Sequence, residues 1–171
     1  MSVLTVEDMV AHVAIQQTIA RYTMAGDRLR PDAFSTVFTV DAVIEAQGLN
    51  AEDNFRYEGR EAIARWLARW RERTEGAAPV HKATFVRHHL STCNIELTGQ
   101  GTARARTYWV AWTNIGPDHS GLYLDEFRRV ENVWLIARRR IREDWRSGDS
   151  LFSGAVVNSR PETTGESAPQ L

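Results

Sequence analysis

The chain has 171 residues, 43 % hydrophobic and 25 % charged, with 21 basic side chains against 22 acidic ones and a formal net charge of −1. That length holds one domain with a real core. The near-neutral balance argues against a nucleic-acid partner, which favours a basic chain, and no apolar run approaches the ~20 residues of a membrane-spanning helix.

The N-terminus has no basic region followed by an apolar stretch, so no signal peptide is expected. Cys93 is the single cysteine. No intrachain disulfide can form, which fits a reducing cytoplasm. Six tryptophans are many for this length. Large aromatics fill cores, and they also line pockets for flat apolar ligands.

Helix comes first. Val6, Val10, Val13, Gln17, Ala20, Met24 and Asp27 are spaced by four and three residues, so they share one face. Asp27 ends that stripe, which is expected to be buried. Pro31 opens a second short helix, completed by residues 32–38. Residues 41–46 predict a strand centred on Val43 and Ile44, and 48–54 a loop. Residues 60–73 predict a third helix with Ile63, Trp66, Leu67 and Trp70 on its apolar face, stopped by Gly76.

The rest predicts sheet, with strands at 82–97, 102–114, 121–129 and 133–144. A turn at Gly99-Gln100-Gly101, a loop at 115–120 holding Gly116, Pro117 and Asp118, and a tight turn at Glu131-Asn132 separate them. Long strands joined by short turns make an antiparallel meander, and the helices before it must cover one of its faces. The expected fold class is α+β: a cone-shaped curved antiparallel sheet, an α+β barrel, with three N-terminal helices enclosing a pocket. This domain spans residues 1–146. Residues 147–171 are rich in Ser, Gly, Thr, Pro and Glu and are expected to be a weakly ordered tail. Its Leu151, Phe152, Val156 and Val157 can dock on the pocket or a neighbour.

The strongest local signal for chemistry is Arg87-His88-His89. Strand side chains alternate between faces. His88 therefore shares a mostly apolar face with Val86, Leu90 and Thr92 and is expected inside, with His89 outside. The two diverge, so they do not chelate one metal. A lone inward His is as a rule a hydrogen-bonded core residue. Asp27 shifts the weight, because a carboxylate ending a buried stripe needs a partner. Beside an imidazole it fixes the tautomer and stabilises the imidazolium. Alternatively, Asp27 is a solvated turn residue in Gly26-Asp27-Arg28.

Arg139 shares a face with Val133, Leu135, Ala137 and Ile141 and is the one charge among them. It points inward, or parity slips at a bulge and it joins Arg138, Arg140 and Arg142 on a solvated face. Tyr22, Tyr108, Tyr123 and Trp112 are candidate pocket walls or hydroxyl donors, and residues of these types are more often plain core. No nucleophile elbow, phosphate loop or zinc spacing occurs. His12, His81 and His119 lack matching ligand partners, and Cys93 lacks an activating setting.

Several stretches resemble the SnoaL-like branch of the nuclear transport factor 2-like superfamily. They are Arg21-Tyr22 with Gly26-Asp27-Arg28, then Val37-Phe38-Thr39-Val40-Asp41-Ala42, Tyr57-Glu58-Gly59-Arg60-Glu61-Ala62-Ile63, Arg87-His88-His89-Leu90-Ser91-Thr92, and Tyr123-Leu124-Asp125-Glu126-Phe127 followed by Val133-Trp134. The resemblance covers about residues 5 to 145. It is strongest to the group of scytalone dehydratase and hexachlorocyclohexane dehydrochlorinase. It implies an Asp at the end of the first helix, here Asp27, and a His on the first long strand, here His88. By counting from the Trp, it implies Arg139 on the last strand. Two departures stand out. The dehydratase's second His on the following strand has no counterpart in 102–114, and Tyr22 stands where the dehydrochlorinase has Lys.

These residues imply a lyase or isomerase without metal or organic cofactor. His88 takes a proton from carbon on a small hydrophobic, cyclic substrate, Asp27 orients it, and Arg139, Tyr22 or Tyr108 stabilises the developing anion. The alternative is a non-catalytic pocketed protein, such as a ring-hydroxylating dioxygenase small subunit. Epoxide hydrolysis would need two inward carboxylates around an Arg, and only Asp27 is identifiable. Tyr108, Val110 and Trp112 alternate with Thr107, Trp109 and Ala111. One apolar set is thus left bare, which predicts a homo-oligomer with sheet-to-sheet contacts. The resemblance implies a trimer before a dimer.

Overall fold

The computed structural model describes residues 5–76 and 83–152. Helix α1, Val6–Asp27, starts at a reciprocal cap: Asp8 N–H donates to the Thr5 hydroxyl and Thr5 N–H donates to the Asp8 carboxylate. Its buried stripe is Ala11, Ile15, Thr18, Ile19, Tyr22 and Ala25. The expected stripe from Val6 to Met24 is instead exposed. The helix is apolar on two sides, and periodicity alone does not say which is inside. The bulkier set with Ile15, Ile19 and Tyr22 is buried, and the Thr18 hydroxyl ties it down by donating to the carbonyl of Trp134 at 2.7 Å.

Helix α2, Pro31–Ser35, is shorter than expected, because strand β1, Phe38–Gln47, already begins at Phe38. Strand β2, Phe55–Glu58, pairs antiparallel with β1 in a stretch where no element was expected. Helix α3, Arg60–Gly76, buries Ile63, Trp66 and Leu67. Four long strands follow: β3, Arg87–Gly99; β4, Thr102–Thr113; β5, Gly116–Val130; and β6, Val133–Arg146. The fold is α+β. One curved, unclosed sheet has the order β2-β1-β6-β5-β4-β3, and β1–β6 is its parallel pair. The core lies between its concave face and the three helices.

Two irregularities decide what faces the core. The turn between β4 and β5 is confined to Asn114 and Ile115, with Gly116 at φ +98°, a conformation that suits glycine. The expected loop at 115–120 is therefore mostly strand, and His119 is a strand residue. In β6 the register with β5 shifts by one, since Ile136 faces Phe127 while Arg138 faces Glu126. Ala137 is the extra residue of a bulge, which inverts the alternation. Trp134 and Ile136, expected outside if Arg139 is inside, are thus buried together with Arg139.

The described part of the C-terminal segment is tied to Asp118. Ser147 N–H donates to its carbonyl, and Leu151 N–H and the Ser150 hydroxyl donate to its carboxylate. Val156 and Val157 lie outside the described residues. Among the described residues no helix is long and apolar enough to cross a membrane.

Candidate functional site

The end of α1 abuts the start of β3. Asp27 takes His88 twice: the backbone N–H donates to Oδ2 at 3.1 Å and Nδ1 lies 2.5 Å from Oδ1. An ionised carboxylate only accepts, so Nδ1 is the donor of this pair, and in the neutral ring Nε2 keeps its lone pair. The Asp27 side chain is 7 % exposed and that of His88 25 %.

Across the sheet His88 is opposite Ala111, and Ala111 is opposite His119. Residues opposite one another share a face. Both imidazoles therefore stand on the concave side with a methyl group between them. Their ring centroids are 6.2 Å apart at 86°. His119 repeats the arrangement of His88, with Nδ1 2.8 Å from Oδ1 of the fully buried Asp118. Burial alone would raise the Asp118 carboxyl. Bonds from His119, Ser150 and the Leu151 N–H outweigh that and hold it down to about 2. Neither His88 nor His119 has a partner for Nε2 among the described residues.

The two histidines open on a cavity of about 540 Å³. Its walls are aromatic: Tyr22, Phe34, Phe55, Trp66, Trp70, Phe85, Trp109, Tyr123 and Phe152. Trp109 stacks on Tyr123 at 5.4 Å and 21°, and Phe152 lies 4.9 Å from the His119 ring. Trp109 lies flat because Gly121 lies beneath it, where an added Cβ would fall 2.9 Å from Trp109 Cζ2 and 1.9 Å from the Arg142 carbonyl oxygen. The indole N–H groups of Trp66 and Trp109 are buried without a hydrogen-bond partner among the described residues. One end of the cavity is ionic. Arg146 holds Glu143 through two bonds of 2.6 Å and Asp53 at 3.1 Å, and all three residues line the cavity.

Of the residues singled out in the sequence, Asp27, His88, Tyr22 and Tyr123 meet at this cavity. Tyr108 and Trp112 do not. They are 53 % and 41 % exposed on the outer face, because Leu90 pairs with Trp109 and so places the odd-numbered set of β4 inside. Arg139 is inward but does not reach the cavity. Its guanidinium forms a two-bond fork with Asp125 at 2.7 and 2.6 Å. It lies 3.8 Å from the ring centre of Tyr22 and 4.2 Å from that of Tyr123, which cover it. The direct substrate contact expected of Arg139 is thereby corrected: it anchors the cavity floor from below. Burial would lower its pKa, but Asp125 outweighs this and raises it. Burial likewise raises the phenols of Tyr22 and Tyr123.

Sequence reasoning missed His119 with Asp118, Trp109, and the Asp53–Arg146–Glu143 group. The adjacent pair Asp118-His119 was a signal, masked by reading its segment as loop. Among the described residues no cluster of three or more His, Cys, Asp or Glu could hold a metal ion.

No curated protein matches the chain. Solved structures do. A protein assigned as a scytalone dehydratase from Novosphingobium aromaticivorans is 22 % identical, with a TM-score of 0.65 over 82 % of this chain and 88 % of that one. The beta subunit of a protein assigned as an aromatic-ring-hydroxylating dioxygenase, from the same organism, is 19 % identical, with a TM-score of 0.64 over 84 % and 95 %. Hexachlorocyclohexane dehydrochlorinase from Novosphingobium barchaimii is 13 % identical, with a TM-score of 0.63 over 81 % and 90 %. At such identities the likeness is one of fold. The SnoaL-like domain pattern matches residues 7–140, most of the chain, and the protein therefore belongs to the SnoaL-like domain family.

Proposed function

We propose that the protein is a cofactor-independent lyase or isomerase acting on a small hydrophobic, cyclic substrate. The observation that carries this reading is the His88–Asp27 pair at 2.5 Å on the wall of an aromatic cavity. Nε2 of His88 takes a proton from a substrate carbon, and Asp27 stabilises the imidazolium that forms. The electron pair left on carbon either becomes a double bond as a group departs from the neighbouring carbon, or shifts along a conjugated system. In the first case His119, beside His88 on the same face, acts as the general acid and gives an Nε2 proton to the departing oxygen. In the second, His88 returns its own proton at the new position.

His88→Ala is expected to lower kcat by about 10²–10⁴-fold without unfolding the protein. The check is loss of a carbon-bound deuterium to solvent, followed by NMR over a panel of cyclic hydroxylated, halogenated and carbonyl compounds. Turnover close to that of the unaltered chain would end this reading.

The Asp53–Arg146–Glu143 group supports a second reading, epoxide opening, since two carboxylates there flank one arginine at the cavity. On that reading Glu143→Gln abolishes hydrolysis of cyclic epoxides while His88→Ala leaves it intact. The non-catalytic alternative, an accessory subunit like the dioxygenase beta subunit of the same fold, predicts no turnover by the chain alone. For self-association we propose sheet-to-sheet contact through the outer face bearing Tyr108 and Trp112, as a trimer.

A further inference from the structure

Helix α1 presents to solvent the stripe Val6, Val10, Val13, Gln17, Ala20 and Met24, and Met9 lies on its flank. The large apolar residues among them are between 49 and 73 % exposed. A surface helix ordinarily turns charged residues outward, and this stripe holds none. Its spacing alternates four and three residues from end to end, the heptad seam along which two helices pack side by side. The stripe lies on the opposite side of α1 from the buried set, so nothing among the described residues covers it.

We propose that two copies of this chain dock antiparallel through α1. The choice of a second copy rests on the charges beside the seam. Glu7 and Arg21 flank the stripe on the same side, two heptads apart. Glu7 is largely exposed, and its one ion contact among the described residues is a 3.7 Å approach to Arg129. Arg21 is exposed and has no ion pair among the described residues. In an antiparallel pair, Val10 meets Ala20 of the second copy, Val6 meets Met24 and Val13 meets Gln17, so a larger residue faces a smaller or polar one. The same register brings Glu7 of each copy to Arg21 of the other, closing two ion pairs related by the two-fold axis. A parallel pair leaves both charges without an opposite. The contact is isologous and therefore self-limiting. It is separate from the outer face of the sheet and independent of what the cavity does. The capped N-terminus of α1 means that the helix is already formed before docking.

The test is a charge exchange on the full chain. By analytical ultracentrifugation, Glu7→Arg alone and Arg21→Glu alone are each expected to weaken the pairing, by roughly tenfold in dissociation constant for two inverted ion pairs. The double exchange is expected to restore it. Val10→Lys with Val13→Lys, both at exposed positions, is expected to halve the mass whatever the sheet face does, with the circular dichroism unchanged. In a Cys93→Ser background, Glu7→Cys with Arg21→Cys is expected to oxidise to a covalent dimer, and either cysteine alone is not. An unchanged mass in the lysine variant overturns the proposal. So does a double exchange no better than the singles, or a double-cysteine chain that stays monomeric on oxidation. Any of these would assign the stripe to the chain's own C-terminal segment or to an unlike partner.

Discussion

At Asp27 one carboxylate serves two donors, the ring and the backbone of His88. Asp27→Asn keeps the shape but removes the charge. It can also turn its amide donor toward Nδ1, which forces the proton onto Nε2, the atom that must be free to act as base. On the proposed mechanism kcat is expected to fall by at least about 10²-fold, as large a loss as for His88→Ala. Near-full activity in the Asn variant would show that Asp27 only braces the strand. Asp118 makes a separate prediction. Its carboxyl is held down to about 2 in the folded protein, against 3.8 for an ordinary aspartate. A depressed acid stabilises the fold above its unfolded pKa and loses that contribution as pH falls through the folded one. Asp118 is thus expected to supply about 2 kcal/mol that is present at neutral pH and lost between about pH 4 and pH 2. Urea unfolding along that interval should show the loss, and Asp118→Asn should flatten it.

At the scale of elements, α3 was legible in the sequence from its one apolar face, and the four long strands from their length and the short turns between them. Helix α1 was legible as a helix but not in its orientation. It has two apolar stripes, and choosing between them needs the Thr18–Trp134 bond, made across 116 positions. Parity placed His88 inside, because the irregularity in β3 comes after it, between Leu90 and Cys93. It failed for Trp134 and Ile136, because a bulge at Ala137 leaves no mark in the amino-acid pattern. It also failed for His119, because a proline and two acceptable turn residues sit inside a strand. About half of the candidate site was therefore readable: Asp27, His88, Tyr22 and Tyr123. What escaped depends on register, namely the second imidazole, Trp109, and the ionic end made by the last turn of β6 and the short segment before β2.

At the scale of the whole molecule, the sheet's outer face is not polar at one end. Tyr108, Trp112 and Trp145 are each 41 to 53 % exposed there. Toward the other end Arg104, Arg106, Arg138 and Arg140 surround a shallow depression with Glu126. A surface that combines aromatic residues with both signs of charge suits association with its own kind. Trp112→Ser with Tyr108→Ser is expected to lower the mass of the assembly threefold. Light scattering after size exclusion tests this, and a mass of 19.4 kDa for the unaltered chain would refute sheet-to-sheet association altogether.

The parallel pairing of β1 with β6 has a consequence for how this protein is made. An early strand is completed by the last one, and the first helix hangs its buried stripe on that same last strand. A growing chain on the ribosome therefore cannot cover Ile15, Ile19 or Tyr22 until β6 has left the exit tunnel. Until then α1 carries two uncovered apolar stripes in the nascent chain. Such late closure of long loops slows folding into the range of milliseconds to seconds and leaves the unfinished chain dependent on whatever shields it.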